Sequence, residues 1–371
     1  MARPRAREIG IDIGIFKPGS HNAITDVAGV LVGHSTIIEG EGKLIPGEGP
    51  VRTGVTVILP HGGNLFREKV QAGCYVLNGF GKSAGFHQIK ELGVIETPIA
   101  LTNTLCVPRV ADALISYSIS QAPEIGVTTG TVNPVVGDIN DGWLNDIQGR
   151  HVGEKQVLEA IGKVRGGPVP EGNVGGGTGC SCLGFKGGIG TASRVLPGRL
   201  GGYTVGVLAQ TNFGGVLSMN GAPVGRELGI FDFAVPKVPD GSCMVVIATD
   251  APLDARLLTR IARRGGLGMA RTGFYSSNGS GDFFIAFSTS GKVPHAGERE
   301  LARTVVSDDS MSAIFAAAVE AVEESVINSL TAAETMTGRD GNTKKAIDID
   351  GLVHILDKYK ARGWALKLPG A

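Results

Sequence analysis

The stretch VPDGSCMVVIATD, residues 238–250, joins a turn sequence to a run of apolar and β-branched residues. Pro-Asp-Gly is typical of a turn, and the run that follows Ser242 is typical of a buried strand. Gly241 precedes Ser242 and has no side chain, so an attacking oxygen can approach the carbonyl between them. Ser242 is therefore predicted to stand at the mouth of a core strand, where the sheet holds its hydroxyl rigidly.

This stretch allows two interpretations. Ser242 is a turn residue at the start of a strand, or it is an oxygen nucleophile. Cleavage of the Gly241–Ser242 bond would make Ser242 a new N-terminus, with its hydroxyl beside a free amine that can act as a base. The remainder of the chain has to distinguish the two.

Length and charge exclude several classes of protein. The chain has 371 residues, with 35 basic and 35 acidic side chains and no long run of like charge. Nucleic acid and anionic membranes are therefore not expected as partners. Glycine accounts for 58 residues, about twice its usual share, and it clusters between apolar runs, which predicts many tight turns between buried strands. We expect a single catalytic domain over 1–371.

Targeting and cofactor signals are weak. The N-terminal MARPRAREIG lacks the apolar stretch of a signal peptide, and no apolar run approaches the ~20 residues of a membrane span, so a cytoplasmic protein is expected. The five cysteines and seven histidines lack metal-site spacing, and neither a metal nor a cofactor is predicted. The GKS sequence at 81–83 resembles the end of a phosphate-binding loop, but Val76 replaces the glycine that this motif requires.

Hydrophobic periodicity predicts groups of strands with helices between the groups. Strands are expected at 53–59, 98–102, 128–136, 181–185, 191–196, 203–210, 243–249 and 283–288. Helices are expected at 64–91 (one or two, with a loop), 109–120, 152–164, 253–270, 308–333 and 352–361. Antiparallel meanders outnumber strand-helix-strand units in this pattern, which favours a layered α+β sandwich over a doubly wound parallel sheet.

Two helices carry more detailed expectations. In the 253–270 helix, Leu267 is placed on the inner stripe with Leu257 and Ile261. Asp308 or Asp309 is expected to cap the N-terminus of the next helix.

Four polar clusters follow or precede predicted strands, where catalytic side chains are usually held. Their contents fit an acyl-transfer site, with Ser242 as the nucleophile, Asn212 as an amide donor to an oxyanion, and Ser280 and Asp282 as a proton relay. Asn, Ser and Asp are also ordinary turn residues, so a structural role stays open. The clusters are NDGWLND at 140–146, QTNFGG at 210–215, DGSC at 240–243 and NGSGD at 278–282.

In this order and spacing the clusters resemble the L-aminopeptidase/D-esterase and β-peptidyl aminopeptidase family of self-processing serine peptidases. The likeness extends from ITDVAGVLVG at 24–33 to the long late helix, and the pairing of PDGSC with NGSGD is its most specific part. The resemblance implies an αββα sandwich, similar in its layers to the N-terminal-nucleophile hydrolases but different in connectivity. It also implies a homo-oligomer of the processed protein.

The resemblance implies a self-processing aminopeptidase and amidase that releases N-terminal residues from short peptides, amides and esters. Self-cleavage would fall between Gly241 and Ser242 and give chains 1–241 and 242–371. Ser242 would then be the nucleophile, Asn212 would complete the oxyanion hole, and Ser280 and Asp282 would handle the proton. The base would be either the freed α-amine, whose reference pKa is about 8, or the Ser280–Asp282 pair.

The first polar loop raises two further expectations. Asp138 and Asp141 are candidates to bind the substrate ammonium, or else they only cap turns. The family usually has tyrosine where this chain has Trp143, and an indole cannot relay a proton, so Trp143 would line the pocket or alter the substrate range. Two alternatives remain: an N-acyl transferase of the ornithine-acetyltransferase type, which uses threonine as its new N-terminus, and a catalytically silent relative.

Overall fold

The computed structural model describes residues 3–233, 241–297 and 300–364. The strands are β1 (Leu31–Glu39), β2 (Val51–Leu59), β3 (Glu68–Gly79), β4 (Val94–Ile95), β5 (Ile99–Asn103), β6 (Val135–Ile139), β7 (Ser181–Cys182), β8 (Phe185–Lys186), β9 (Ile189–Val195), β10 (Thr204–Asn212), β11 (Ser242–Thr249), β12 (Gly281–Pro294), β13 (Met336–Thr337) and β14 (Thr343–Lys344). The α-helices are α1 (Phe86–Leu92), α2 (Val107–Gln121), α3 (Glu154–Gly162), α4 (Val224–Glu227), α5 (Ala255–Ala270), α6 (Met311–Ala332) and α7 (Ile349–Lys358).

Ten strands form two large sheets. The four-stranded sheet has the order β1-β2-β5-β6, and the six-stranded sheet has the order β4-β3-β12-β11-β10-β9. Two pairs, β5 with β6 and β11 with β12, are parallel, and the other described pairs are antiparallel. The helices α2 and α5 make the crossovers that these two parallel pairs require.

The sheets and helices stack in four layers. Apolar side chains from α5 and α6 pack on one face of the six-stranded sheet. The other face of that sheet packs against the four-stranded sheet, through residues such as Met244 and Val246 on one side and Ile58 and Leu101 on the other. The far face of the four-stranded sheet is covered by α2 and α3. The αββα sandwich of the α+β class is therefore confirmed.

Charged residues as well as apolar ones hold α6 to its sheet. Arg194 of β9 is fully buried and donates to Glu320 at 3.0 Å and to Glu324 at 2.6 Å, and both carboxylates belong to α6. A buried guanidinium needs such partners because an unpaired buried charge is costly. The ion pairs fix the register of the helix against β9.

The prediction of helix over 64–91 is wrong for most of that segment. The chain forms β3 from Glu68 to Gly79 and becomes helical only in α1. Long-range pairing overrides the local pattern here, since β3 pairs with both β12 and β4. Gly73 lets α5 approach closely, because a Cβ at that position would lie 2.3 Å from the Thr259 nitrogen.

Three smaller expectations also need correction. Leu267 is 60% exposed, and the inner face of α5 is completed instead by the small residues Gly265 and Gly268. The N-cap of α6 is Ser310, without a side-chain cap, because a 3₁₀ turn at Asp308–Ser310 precedes the helix. The strand expected at 128–136 begins only at Val135. Among the described residues, no helix is long and apolar enough to cross a membrane.

Candidate active site

Three neighbouring strands of the six-stranded sheet, β10, β11 and β12, bring the predicted catalytic residues together at one end of the strands. Ser242 is the first residue of β11, and it pairs with Asn212, the last residue of the antiparallel strand β10. On its other side Ser242 pairs with Gly281, the first residue of the parallel strand β12. Strand pairing therefore places Asn212, Ser242 and the segment of Ser280 and Asp282 side by side, although they are far apart in the sequence.

Gly241 has no room for a side chain. A Cβ at this position would lie 2.3 Å from the Asn212 carbonyl oxygen and 2.4 Å from the Cα of Phe213. The absence of a side chain thus lets Gly241 lie against the end of β10, immediately before Ser242. The Pro239-Asp240 part of the predicted turn lies outside the described residues.

The Ser242 hydroxyl is held by the backbone of β12. Its Oγ accepts a hydrogen bond from the Gly281 N–H at 3.2 Å. In the described part of the chain, no hydrogen bond joins this Oγ to Ser280. The serine hydroxyl is therefore oriented by strand pairing, and the Ser280 hydroxyl is directed elsewhere.

Ser280 instead donates to Asp282, at 2.6 Å from Oδ1. Asp282 also accepts the Ser276 hydroxyl at 2.5 Å and contacts the Cys243 thiol at 3.4 Å. Burial raises the pKa of Asp282, and the hydroxyl hydrogen bonds from Ser276 and Ser280 oppose that rise. Asn78 donates to the Ser280 carbonyl and anchors the loop to β3. The Asp282 carboxylate is thus surrounded by donors, and it lies beside Cys243, the residue that follows Ser242.

Asn212 has the orientation of an amide donor. Its Oδ1 accepts the Ser181 N–H at 2.8 Å, and its Nδ2 donates to the Asn140 carbonyl at 2.9 Å. These two bonds fix the assignment of the oxygen and the nitrogen. An amide nitrogen carries two hydrogens, so the second hydrogen of Asn212 is available to another acceptor.

A cavity of about 520 Å³ opens beside these strand ends, within the size range of small-molecule sites. Ser242, Gly241 and Asn212 all line it. The other lining residues are Phe80, Lys82, Thr104, Asn140, Gly142, Trp143, Ile147, Ser181, Gly184, Phe213, Gly214, Gly279, Arg339 and Lys344. In the described residues, no group of three or more His, Cys, Asp or Glu side chains is arranged to hold a metal ion.

Trp143 forms part of the cavity wall and is 41% exposed. Its carbonyl accepts the Asn342 side chain at 3.0 Å, and the ammonium of Lys344 lies 5.9 Å from its ring centre. The loop that carries Trp143 is thereby fastened to the β13–β14 hairpin.

Asp138 and Asp141 do not line the cavity. Asp141, 2% exposed, accepts Thr53 Oγ1 at 2.6 Å and Asn145 Nδ2 at 3.0 Å, and burial raises its pKa to about 7. Asp138, 1% exposed, accepts through Oδ1 the backbone N–H of the lining residue Lys82 at 2.9 Å. Its Oδ2 is buried and has no hydrogen-bond partner in the described part of the chain.

Sequence reasoning missed three basic residues in the cavity wall. Lys82 belongs to the GKS sequence, whose only resemblance is to a phosphate-binding loop that this chain does not complete. Nothing near it in the sequence indicates a part in an acyl-transfer site. Arg339 and Lys344 lie about 100 residues beyond Ser242 in a polar segment without a motif. Ser276, which donates to Asp282, was also missed because it lies just outside the NGSGD cluster.

Comparison with known proteins agrees with this geometry. The family model for peptidase family S58 matches residues 22–344. The chain is 44% identical over 373 residues to the β-peptidyl aminopeptidase BapA of Sphingosinicella microcystinivorans, covering 96% of this chain and 93% of the relative. Among solved structures, the PH0078 protein from Pyrococcus horikoshii OT3 has a TM-score of 0.91 at 50% identity, over 96% of this chain and 99% of that chain.

A third relative links the fold to serine chemistry. The L-aminopeptidase D-Ala-esterase/amidase from Ochrobactrum anthropi is described as a prototype for the serine aminopeptidases and as a new variant among the Ntn hydrolase fold. It has a TM-score of 0.90 at 39% identity, over 97% of this chain and 100% of that chain. The chain therefore belongs to peptidase family S58, and it is a serine-type hydrolase with aminopeptidase and amidase function.

Proposed function

We propose that this protein cleaves its own Gly241–Ser242 bond and then uses Ser242 to release N-terminal residues from short peptides, amides and esters. The observation that carries the proposal is the position of Ser242 on the cavity wall, between Asn212 and Gly281 on adjacent strands. A serine at the rigid end of a central strand can attack a bound carbonyl with little loss of orientation.

Self-cleavage begins with attack of Ser242 Oγ on the Gly241 carbonyl carbon. The hydroxyl proton passes to a base, the C–N bond breaks, and the nitrogen is protonated to become the α-amine of Ser242. Water then hydrolyses the ester, which leaves a carboxylate on Gly241 and restores the serine hydroxyl. The absence of a side chain at Gly241 supports this step, because the carbonyl is unshielded where β10 crowds the chain.

Substrate turnover repeats the chemistry with an external carbonyl. Ser242 Oγ attacks the first carbonyl of the substrate, the leaving amine or alcohol takes up a proton, and water hydrolyses the acyl-enzyme. The free hydrogen of the Asn212 amide supports an oxyanion role, since a single such donor is worth roughly 10²–10³ in rate. The proton acceptor is the freed amine or the Ser280–Asp282 pair, which is hydrogen-bonded at 2.6 Å.

We assign the substrate ammonium to Asp138 rather than Asp141. Both oxygens of Asp141 already accept hydrogen bonds, from Thr53 and Asn145. Asp138 keeps Oδ2 without a partner among the described residues, while its Oδ1 accepts the N–H of the lining residue Lys82. A buried carboxylate oxygen without a donor is unfavourable, and a substrate ammonium supplies that donor.

The two product chains are expected to stay associated as a heterodimer. Strand β11 of the second chain pairs with β10 of the first, and β12 pairs with β3. Assembly of this heterodimer into a homo-oligomer remains a prediction from the family resemblance, to be checked by light scattering.

Intact mass spectrometry tests the proposal directly. The purified protein should give two masses that split at Gly241/Ser242, whereas Ser242→Ala should give one full-length chain. The processed protein should release p-nitroaniline from amino acid p-nitroanilides, and Ser242→Ala should not. An uncleaved single chain that hydrolyses these substrates would refute the role of Ser242.

A further inference from the structure

The cavity beside Ser242 is lined by cations without matching acids. Lys82, Arg339 and Lys344 all line it, and the described lining residues include no aspartate or glutamate. Such a wall attracts negative charge, because low-dielectric surroundings strengthen the field of each cation.

None of the three cations forms a direct ion pair within the described part of the chain, although the Asp232 carboxylate attracts Lys344 from a longer distance. No ion pair joins any of them to a carboxylate, and Arg339 Nε is buried without a hydrogen-bond partner. Lys82 lies 4.8 Å from the ring centre of Phe80. Asp232, whose carboxylate attracts the Lys344 ammonium, also accepts a hydrogen bond from the Tyr275 hydroxyl at 2.7 Å. A buried donor without an acceptor is costly, so the site favours an anionic ligand.

Arg339 and Lys344 form one wall with the Trp143 loop. Arg339 lies in the turn that joins β13 to β14, and Lys344 is the last residue of β14. The Arg339 N–H donates to the Leu144 carbonyl at 3.0 Å, and the Asn342 side chain donates to the Trp143 carbonyl at 3.0 Å. The backbone that carries the two basic side chains is therefore fastened to the Trp143 loop beside the cavity, as a binding surface requires.

We propose that this wall, Arg339 with Lys344, binds the free carboxylate of the residue that leaves during catalysis. The inference rests on the proposed function, since an aminopeptidase substrate carries its ammonium on the acyl side of the cleaved bond. In a dipeptide of neutral residues, the negative charge then lies on the leaving side, at the C-terminal carboxylate. The preferred substrates are then dipeptides and other short peptides with an unblocked C-terminus, which a cavity of about 520 Å³ can hold.

The test compares a charged leaving group, alanine, with its uncharged amide, and uses a p-nitroanilide to report hydrolysis independently of that charge. The substrates are alanyl-alanine, alanyl-alanine amide and alanine p-nitroanilide, or their β-alanyl counterparts if only those p-nitroanilides are hydrolysed. For the wild-type enzyme, kcat/KM on the free acid should exceed that on the amide by about 10- to 100-fold, mainly through KM, as expected for a charge-assisted hydrogen bond. High salt should reduce this ratio, because ions screen the attraction.

Two variants and a matched control locate the effect. Arg339→Met and Lys344→Met should each lower the acid-to-amide ratio, and together they should bring it close to one. Lys345→Met removes the same charge from the neighbouring exposed position outside the cavity lining, and it should keep the wild-type ratio. Arg339→Lys should keep part of the preference, since an ammonium replaces the guanidinium only as a point charge.

The outcomes separate this inference from the proposed function. If p-nitroanilides are hydrolysed but the acid and the amide are equal, the carboxylate wall is refuted and the aminopeptidase proposal stands. If no p-nitroanilide is hydrolysed by the processed enzyme, the proposed function itself fails. Alanyl-aspartate amide tests the other source of a carboxylate: a preference for it that matches or exceeds that for alanyl-alanine would overturn the assignment to the C-terminus.

Discussion

Gly241→Ala should slow self-cleavage strongly while the fold is kept. The added Cβ would lie 2.3 Å from the Asn212 carbonyl oxygen and 2.4 Å from the Cα of Phe213, both backbone atoms of the sheet. Ordinary contact begins at 3.4 Å, so the backbone around residue 241 has to move by about 1 Å. Overpacking of this kind costs about 1–3 kcal/mol in stability.

The larger consequence concerns the reaction. A misplacement of about 1 Å at a reacting centre costs roughly 100-fold in rate, because the attacking oxygen and the carbonyl lose their alignment. Processing should therefore slow by about this factor, as measured by intact mass spectra taken over time after purification. Circular dichroism should show the wild-type spectrum.

Gly198→Ala is the matched control for this experiment. Gly198 has nothing within 4 Å of an added Cβ, and its backbone is not in the left-handed region. This variant should process at the wild-type rate. If Gly241→Ala also processes at the wild-type rate, the argument from the crowded end of β10 is wrong.

Three further predictions follow from buried charges. If the Ser280–Asp282 pair accepts the proton, Asp282→Asn should lower p-nitroanilide turnover by about 10²–10⁴-fold. Wild-type activity should then fall as the pH drops through the raised pKa of Asp282, and the activity of the variant should not show this fall. Burial raises the pKa of Asp141 to about 7, against 3.8 for the free group, so the folded protein is most stable relative to the unfolded chain below about pH 4 and loses that stability as the pH rises through 7. In a Ser242→Ala background, urea unfolding should show a loss on the order of 2–4 kcal/mol over that window relative to the same protein with Asp141→Asn. Arg194→Met removes the guanidinium that pairs with the buried carboxylates of Glu320 and Glu324, and it should lower the free energy of unfolding by about 3–5 kcal/mol. This is measured in a Ser242→Ala background, so that a single chain unfolds. A loss below 1 kcal/mol in Arg194→Met, or parallel pH curves for wild type and Asp141→Asn, would contradict the respective argument.

Local patterns identified many of the elements but not their partners. The β-branched run after Ser242 and the spaced apolar residues of α2 and α6 were predicted correctly, because these signals depend on neighbouring residues alone. The segment 64–91 was mistaken for helix because pairing with β12 and β4, which decides its conformation, comes from residues far along the chain. The prediction that Leu267 is buried was wrong for a similar reason, since Gly265 makes the close contact of α5 with Phe284 of the sheet and Gly268 makes its close contact with α6.

The family resemblance, the layered α+β class and the importance of the stretch around Ser242 follow from the amino-acid sequence alone, since turn residues, strand composition and motif spacing are properties of the chain. What surrounds that serine depends on tertiary packing. Strand pairing brings Asn212 and Gly281 to the two sides of Ser242 and places Asp282, with its hydroxyl donor Ser280, beside the next residue of β11. Asp141 instead lies in the interior, where it accepts the Thr53 hydroxyl. The cationic wall depended on a loop and a hairpin about 200 residues apart, and only packing brings such distant side chains together.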